Sequence, residues 1–344
     1  MIKVPSSPIR KLLYSFVYGQ SMVSALTFLL ASLVLFFSLA TPDFMSAINM
    51  RAILCNIPVV AIMAVGMTFV LLSGGLDLSV GSILGFTAVN VVLFHNAGLP
   101  LPAVIVASIS IGVVLGGVNA LIITKGGINP VIVTLGMMAF ARGLASWFSL
   151  DIEALKVGRV FDQNFLLIAR YYVFPECPLF PITIVYVVVL FLAGSFVLSH
   201  TRYGRDLYAV GSNEYAARLA GINVRRIKFS TYVVSGMMAS LAAVILVAQL
   251  SIGRDDAGLG SELQVITAVV LGGVSLKGGR GSLLGVCIAV LIMGVLSNGM
   301  VHLEKVTGIS YHWREIVKGT VLILAITIDS AKSTALRRRR VVRE

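Results

Sequence analysis

Apolar residues run along this chain in blocks of about twenty, with neither a strand-like alternation nor a polar helical face between them. The first block, Met22 to Ala40, follows Lys3, Arg10 and Lys11 and closes on Ser38, Leu39 and Ala40. That outline also fits a cleaved signal peptide. A core of roughly 19 residues is long for a signal and right for a span, so the block reads as an uncleaved first helix. Further blocks follow at about 53–73, 79–97, 102–124, 130–150, 181–199, 229–250, 263–275, 282–302 and 314–330. The gaps are short and hold turn residues, as in Leu99-Pro100-Leu101-Pro102 and Gly126-Gly127-Ile128-Asn129-Pro130. The block at 263–275 is short for a full span and reads as half a helix. The pattern predicts an all-α polytopic membrane protein with about ten transmembrane helices, some short or broken.

Composition agrees and narrows the class. Of 344 residues, 58% are hydrophobic and 12% charged, whereas a soluble domain carries about a quarter charged residues to solvate its surface. Lipid must therefore be the solvent for much of the surface. The formal charge of +12 does not make a nucleic-acid binder, because the basic residues sit between apolar blocks and at the two ends, with no stripe interleaved with aromatics. Cys55, Cys177 and Cys287 are widely spaced, and His95, His200, His302 and His312 are scattered. No metal site, disulfide framework or cofactor follows from them. No His/Asp/Glu cluster or Ser nucleophile arrangement supports a membrane enzyme.

Charge sets the orientation, because cytoplasmic loops collect Lys and Arg. The segment 200–228 carries Arg202, Arg205, Arg218, Arg225, Arg226 and Lys228 against Asp206 and Glu214. The end of the chain carries Lys332, Arg337, Arg338, Arg339, Arg340 and Arg343. By contrast, 151–180 is balanced, and 251–262 sets Arg254 against Asp255, Asp256 and Glu262. Counting the spans in order puts both termini, the 200–228 loop, Lys277 and Arg280 on the cytoplasmic side of a multi-pass inner-membrane protein. The resulting division is a cytoplasmic segment 1–21, a transmembrane domain 22–330 and a basic cytoplasmic tail 331–344.

Three polar interruptions are candidates for function. In the first, Gly74, Gly75, Asp77, Ser79 and Gly81 break an otherwise apolar stretch. An aspartate at membrane depth is expensive unless it faces a cavity or finds partners. Two readings stand: a broken helix beside a translocation path, or a short turn with Asp77 or Ser79 as N-cap of the next helix. The second holds Gly272, Gly273, Gly278, Gly279, Arg280 and Gly281, and echoes the first. It lacks a preceding strand and a GxxxxGKS pattern, so it is no phosphate loop; a duplicated helix-break-helix unit and chance similarity both remain open. In the third, Asn213 can cap a short helix through Ala216, Ala217, Arg218 and Ala220, and Gly221 can end it. Such a helix either docks into a groove on a soluble partner or lies on the headgroups.

The pieces Gly74-Gly75-Leu76-Asp77-Leu78-Ser79-Val80-Gly81, Ala209-Val210-Gly211-Ser212-Asn213 with Ala216-Ala217 and Gly221-Ile222, and Val269-Val270-Leu271-Gly272-Gly273 with Gly278-Gly279-Arg280-Gly281 resemble the ribose/xylose/galactose-type permeases of bacterial ABC importers. That group lies within the broader branched-chain amino-acid/ribose permease family. The resemblance covers about residues 20 to 330 and implies a non-enzymatic transport subunit that brings a sugar-like solute into the cytoplasm. It implies three partners: a cytoplasmic ATPase, often with two fused nucleotide-binding halves, an external solute-binding protein, and a second permease subunit. It also implies that Asn213, Glu214, Ala216, Ala217, Arg218 and Gly221 couple the chain to the ATPase. Tyr215 stands where the wider motif has an acid, with Glu214 one position earlier, an offset that bears on Glu214 alone. A branched-chain amino-acid permease is the alternative. A stand-alone secondary transporter would rest on Asp77 and Arg142 as ion-coupling groups and leaves the 200–228 loop without a purpose.

Overall fold

The computed structural model describes residues 21–154, 160, 162–173, 179–310 and 312–341. The N-terminal segment before Ser21, Cys177 and Arg343 lie outside them. Each apolar block becomes a helix: α1 (Ser21–Ala40), α2 (Ala47–Leu72), α3 (Val80–Asn96), α4 (Leu101–Gly126), α5 (Pro130–Ala154), α7 (Ile182–His200), α10 (Val224–Leu250), α11 (Ser261–Leu271), α12 (Leu283–Thr307) and α13 (His312–Val341). Between them stand three shorter helices, α6 (Gln163–Arg170), α8 (Arg202–Ser212) and α9 (Glu214–Leu219). By length and composition, α1, α2, α4, α5, α7, α10 and α12 can cross a membrane, while α3 and α11 are shorter. The half-helix expected at 263–275 is α11, eleven residues long, or about 16 Å at 1.5 Å per residue. Helix α13 runs on through Lys332 to Val341, so the basic stretch expected as a tail continues a helix.

Local chemistry sets the boundaries. Ser46 caps α2 by accepting from Asn49 N at 3.3 Å. Helix α4 starts behind Pro100 with proline in its first turn and stops at Gly127, which takes the left-handed conformation. Helix α12 stops likewise at Gly308.

Helix α10 is the hub, packed against α2, α3 and α4. Against α4 the approach is close: a Cβ on Gly236 would strike Gly112 O, and one on Gly112 would strike Gly236 O. Small residues at a membrane crossing let the backbones touch, which substitutes for the hydrophobic force that lipid removes. After α10 the chain turns back along α3. Gly253 lies against Ala88, Ala257 and Asp255 against Gly85, and Gly258 and Glu262 against Gly81. The 251–260 segment thus follows α3 down to its first turn, where α11 begins. Arg142 of α5 holds it there through the carbonyls of Asp255 (2.5 Å) and Ala257 (3.0 Å). This is a structural duty for the arginine that the sequence offered as an ion-coupling group.

Candidate functional site

The three interruptions, separated by up to two hundred residues of chain, meet at one end of the bundle. Gly279 N donates to Leu72 O at 2.9 Å, joining the end of α2 to the α11–α12 turn. Helix α8 lies across that junction, and a Cβ on Gly211 would strike Leu72 O and Gly279 N. Glycine at 211 is what lets three backbones cross. Side chains of α8 then fasten to the turn: Tyr208 Oη donates to Gly281 O at 2.8 Å and Ser212 Oγ to Gly279 O at 3.4 Å. Gly278 packs on Gly74 N and Gly211 O, while Gly272 packs on Val286 at the start of α12 and Gly273 on Met22 of α1. Arg280 is exposed, and its carbonyl accepts from Ser275 N at 2.9 Å.

From the exposed Gly74 the α2–α3 connector dives inward. Gly75 sits under the Tyr232 hydroxyl, leaving no room for a side chain. Asp77 is fully buried. Its Oδ1 accepts from Ser79 N at 3.0 Å and Ser79 Oγ at 2.6 Å, and its Oδ2 accepts from Ser235 Oγ of α10 at 2.7 Å. Asn119 Nδ2 of α4 donates to Ser79 Oγ at 2.9 Å. Ser79 stands at the N-cap of α3 without a side-chain cap bond. The capping role offered for Asp77 or Ser79 is therefore replaced by a buried tie that fixes an unwound connector to α4 and α10. Gly81, in the first turn of α3, lies against the Glu262 carboxylate and Gly258 O, where the helix dipole favours negative charge.

Helix α9 projects beyond α8. Asn213 Oδ1 accepts from Ala216 N at 3.0 Å, the expected cap. Gly221 ends the helix at φ +79°, a left-handed conformation that costs a side-chain-bearing residue roughly 1–2 kcal/mol. Glu214 pairs with Arg218 at 3.2 Å and, on α10, with Lys228 at 2.9 Å. Burial pushes the Glu214 carboxyl up, yet the Lys228 and Arg218 contacts outweigh it and hold the group below the usual carboxylate range. Glu214 and Lys228 are half-buried and Arg218 is exposed, so solvent screening holds the bracket to about 1 kcal/mol. That share is present above the unfolded carboxylate pKa and is lost as pH falls through the lower folded value.

Ala216 is exposed, whereas Ala217 is 4% exposed and packs against the chain itself. The apolar groups that α9 presents outward are Tyr215, 72% exposed, and Leu219, 73% exposed, which share a face at i, i+4 spacing. Their signal was in the sequence, as an apolar pair four apart within a charged loop.

The sequence profile of the family described as "Branched-chain amino acid transport system / permease component" matches residues 49–326. The chain is 40% identical to a ribose import permease of Escherichia coli K12, covering 88% of this chain and 93% of that one. It is 33% identical to a fructose import permease of Rhizobium meliloti (92% and 87% covered) and 31% identical to a xylose transport system permease of Escherichia coli K12 (87% and 89%). No solved structure matches the chain at a significant level.

Proposed function

The chain belongs to the branched-chain amino acid transport system / permease component family, and from that premise we propose how it works. It is the membrane-spanning permease of an ABC importer for a sugar. The observation that carries the sugar over the amino acid is that ribose, fructose and xylose permeases are 31–40% identical to it over most of its length.

An external binding protein delivers the solute, two permease subunits form the path, and a separate cytoplasmic ATPase drives the alternation. Helix α9, from Asn213 to Gly221, is the contact with that ATPase. The α8–α9 unit is bonded to the α11–α12 turn, which is bonded to the end of α2. A push on Tyr215 and Leu219 therefore reaches α2, α11 and α12 together. The turn is tied to α2 backbone to backbone and to α8 through the Tyr208 and Ser212 side chains, and the close approach at Gly211 leaves little slack between them. A ligand or nucleotide state acts on the path only as far as it binds the two arrangements of this junction differently.

The α8–α9 end of the bundle is the cytoplasmic one on this reading, with α6 outside. Cysteines placed singly at the exposed Ser212 and Gln163, in a background without Cys55, Cys177 and Cys287, should react with an impermeant maleimide from opposite faces. Reaction of both from outside intact cells rejects the orientation.

The import reading is tested in cells that lack their own uptake of ribose, fructose and xylose and express this chain with its cognate ATPase and binding protein. ATP-dependent accumulation of at least one of these sugars is expected. Accumulation of leucine, isoleucine or valine instead would overturn the sugar assignment.

A further inference from the structure

A cavity of about 360 Å³ opens between α2, α11, α12 and α13, away from the glycine junction. Ser297 and Asn298 lie fourteen and fifteen residues beyond the start of α12, about 21–22 Å along its axis. Asn56 lies sixteen residues before the end of α2, about 24 Å along that helix. The volume falls within the range of small-molecule sites, about 300–1,000 Å³.

The lining is polar where an apolar bundle gives no reason for it. Asn56, Gln264, Ser297 and Asn298 face the cavity together with Arg314 and Lys318, and the rest of the wall is aliphatic. Three atoms of this lining are buried with no hydrogen bond: Ser297 Oγ, Asn298 Oδ1 and Arg314 Nε. A neighbouring network fixes how Asn298 lies. Asn49 Nδ2 donates to Phe44 O at 2.8 Å, which makes Asn49 Oδ1 an acceptor. That oxygen takes Asn298 Nδ2 at 2.9 Å and His302 Nε2 at 2.8 Å. The Asn298 amide nitrogen is thereby committed to Asn49, and its carbonyl oxygen is what remains. Leaving such groups unsatisfied costs about 1–3 kcal/mol each. Polar groups kept at this cost inside a membrane bundle mark a route for something polar. The single carboxylate of Glu315 stands beside both cations, Lys318 at 3.0 Å and Arg314 at 3.5 Å, and offsets one of their two charges.

We propose that this cavity is a solute subsite in which Asn56, Gln264, Ser297 and Asn298 take the hydroxyl groups of a neutral monosaccharide. The inference rests on the sugar-import reading above. The amides of Asn56 and Gln264 offer both donor and acceptor to a hydroxyl, Asn298 offers an acceptor and the serine either, so the set suits a ring bearing several hydroxyls. The aliphatic wall accepts the C–H face of that ring. Contacts of this kind hold a sugar weakly enough to let it leave, as a transport station requires.

The test uses the complete importer, with the cognate ATPase and binding protein, and measures initial uptake of ribose, fructose and xylose at saturating sugar. Ser297→Ala removes a hydroxyl that has no partner in the protein, so the purified permease should melt at the parent temperature or above. Its uptake should nonetheless fall about three- to ten-fold, the worth of one neutral hydrogen bond, with ATP hydrolysis retained. Gln264→Leu should behave alike. Ser297→Cys, alone in a cysteine-free chain, should react with maleimide more slowly when the transported sugar is present. Parent uptake in Ser297→Ala and Gln264→Leu, with labelling indifferent to sugar, overturns the subsite and leaves the import reading standing. A parent chain that accumulates none of the three sugars overturns both.

Discussion

A permease carrying aspartate at both Tyr215 and Leu219 is expected to lose ATP-driven uptake by about a hundredfold or more while its thermal unfolding in detergent stays at the parent value. Both side chains are more than 70% exposed, so the permease fold does not depend on them. In the assembled importer they would enter an apolar groove on the ATPase. A neutral polar group buried there without a partner costs roughly 1–3 kcal/mol and an unpaired carboxylate more, so two aspartates multiply to a loss of at least that order. Co-purification of the ATPase should fall in parallel. Ala217→Trp would stop uptake as well, but for a mixed reason, because Ala217 packs inward and a bulky ring would lift α9 off the protein. The double aspartate separates docking from folding. If it keeps both uptake and the ATPase, α9 is a headgroup-lying helix and the coupling assignment fails.

Asp77→Leu is the second variant with a large expected effect. It removes one carboxylate and strands three donors, Ser79 N, Ser79 Oγ and Ser235 Oγ. At about 1–3 kcal/mol per stranded buried group, much of the margin that holds the unwound connector to α10 is gone. Uptake should fall more than about tenfold, and the purified permease should melt at a lower temperature. Asp77→Asn keeps an acceptor toward Ser79 and can donate to Ser235, so it should fold close to the parent. The pair is informative together. An asparagine variant that folds but does not transport would show that the negative charge itself is used, and one that does both would give Asp77 a positioning role. A leucine variant with parent melting and uptake would remove Asp77 from the site.

The order of the helices and the site of each break were legible in the sequence because lipid imposes a coarse rule on composition. A block of about twenty apolar residues must be a helix, since no other open structure satisfies its backbone. The Asn213 cap and the Gly221 stop were readable for a local reason, as each concerns hydrogen bonds within a few residues. What could not be read was anything set by contact across the bundle. The crossing of Gly211 with Leu72 and Gly279 joins residues that no periodicity links. Ala217 and Leu219 look equally available in a string of letters, and only the docking of α9 beside α10 turns one inward and the other out. Asp77 presented two chemically sound readings, and its actual partner, Ser235, lies 158 positions away. The polar cavity was invisible for the same reason, because Asn56, Gln264 and Asn298 come from separate blocks, each apolar on average.

The shortness of α11 bears on how the protein is made. Eleven residues cannot reach across a hydrocarbon layer of about 30 Å, so a translocation channel that samples hydrophobic length has little reason to release this segment sideways into lipid. The half-buried 251–260 stretch before it can settle at once against Gly85 and Gly81, since α3 is in place when it emerges. Helix α11 must wait for neighbours synthesised later, since it packs against α12 and α13 as well as α2. Biogenesis of this permease therefore finishes out of order: the long helices enter the bilayer as they are translated, and α11 settles among them only after α12 and α13 have been made.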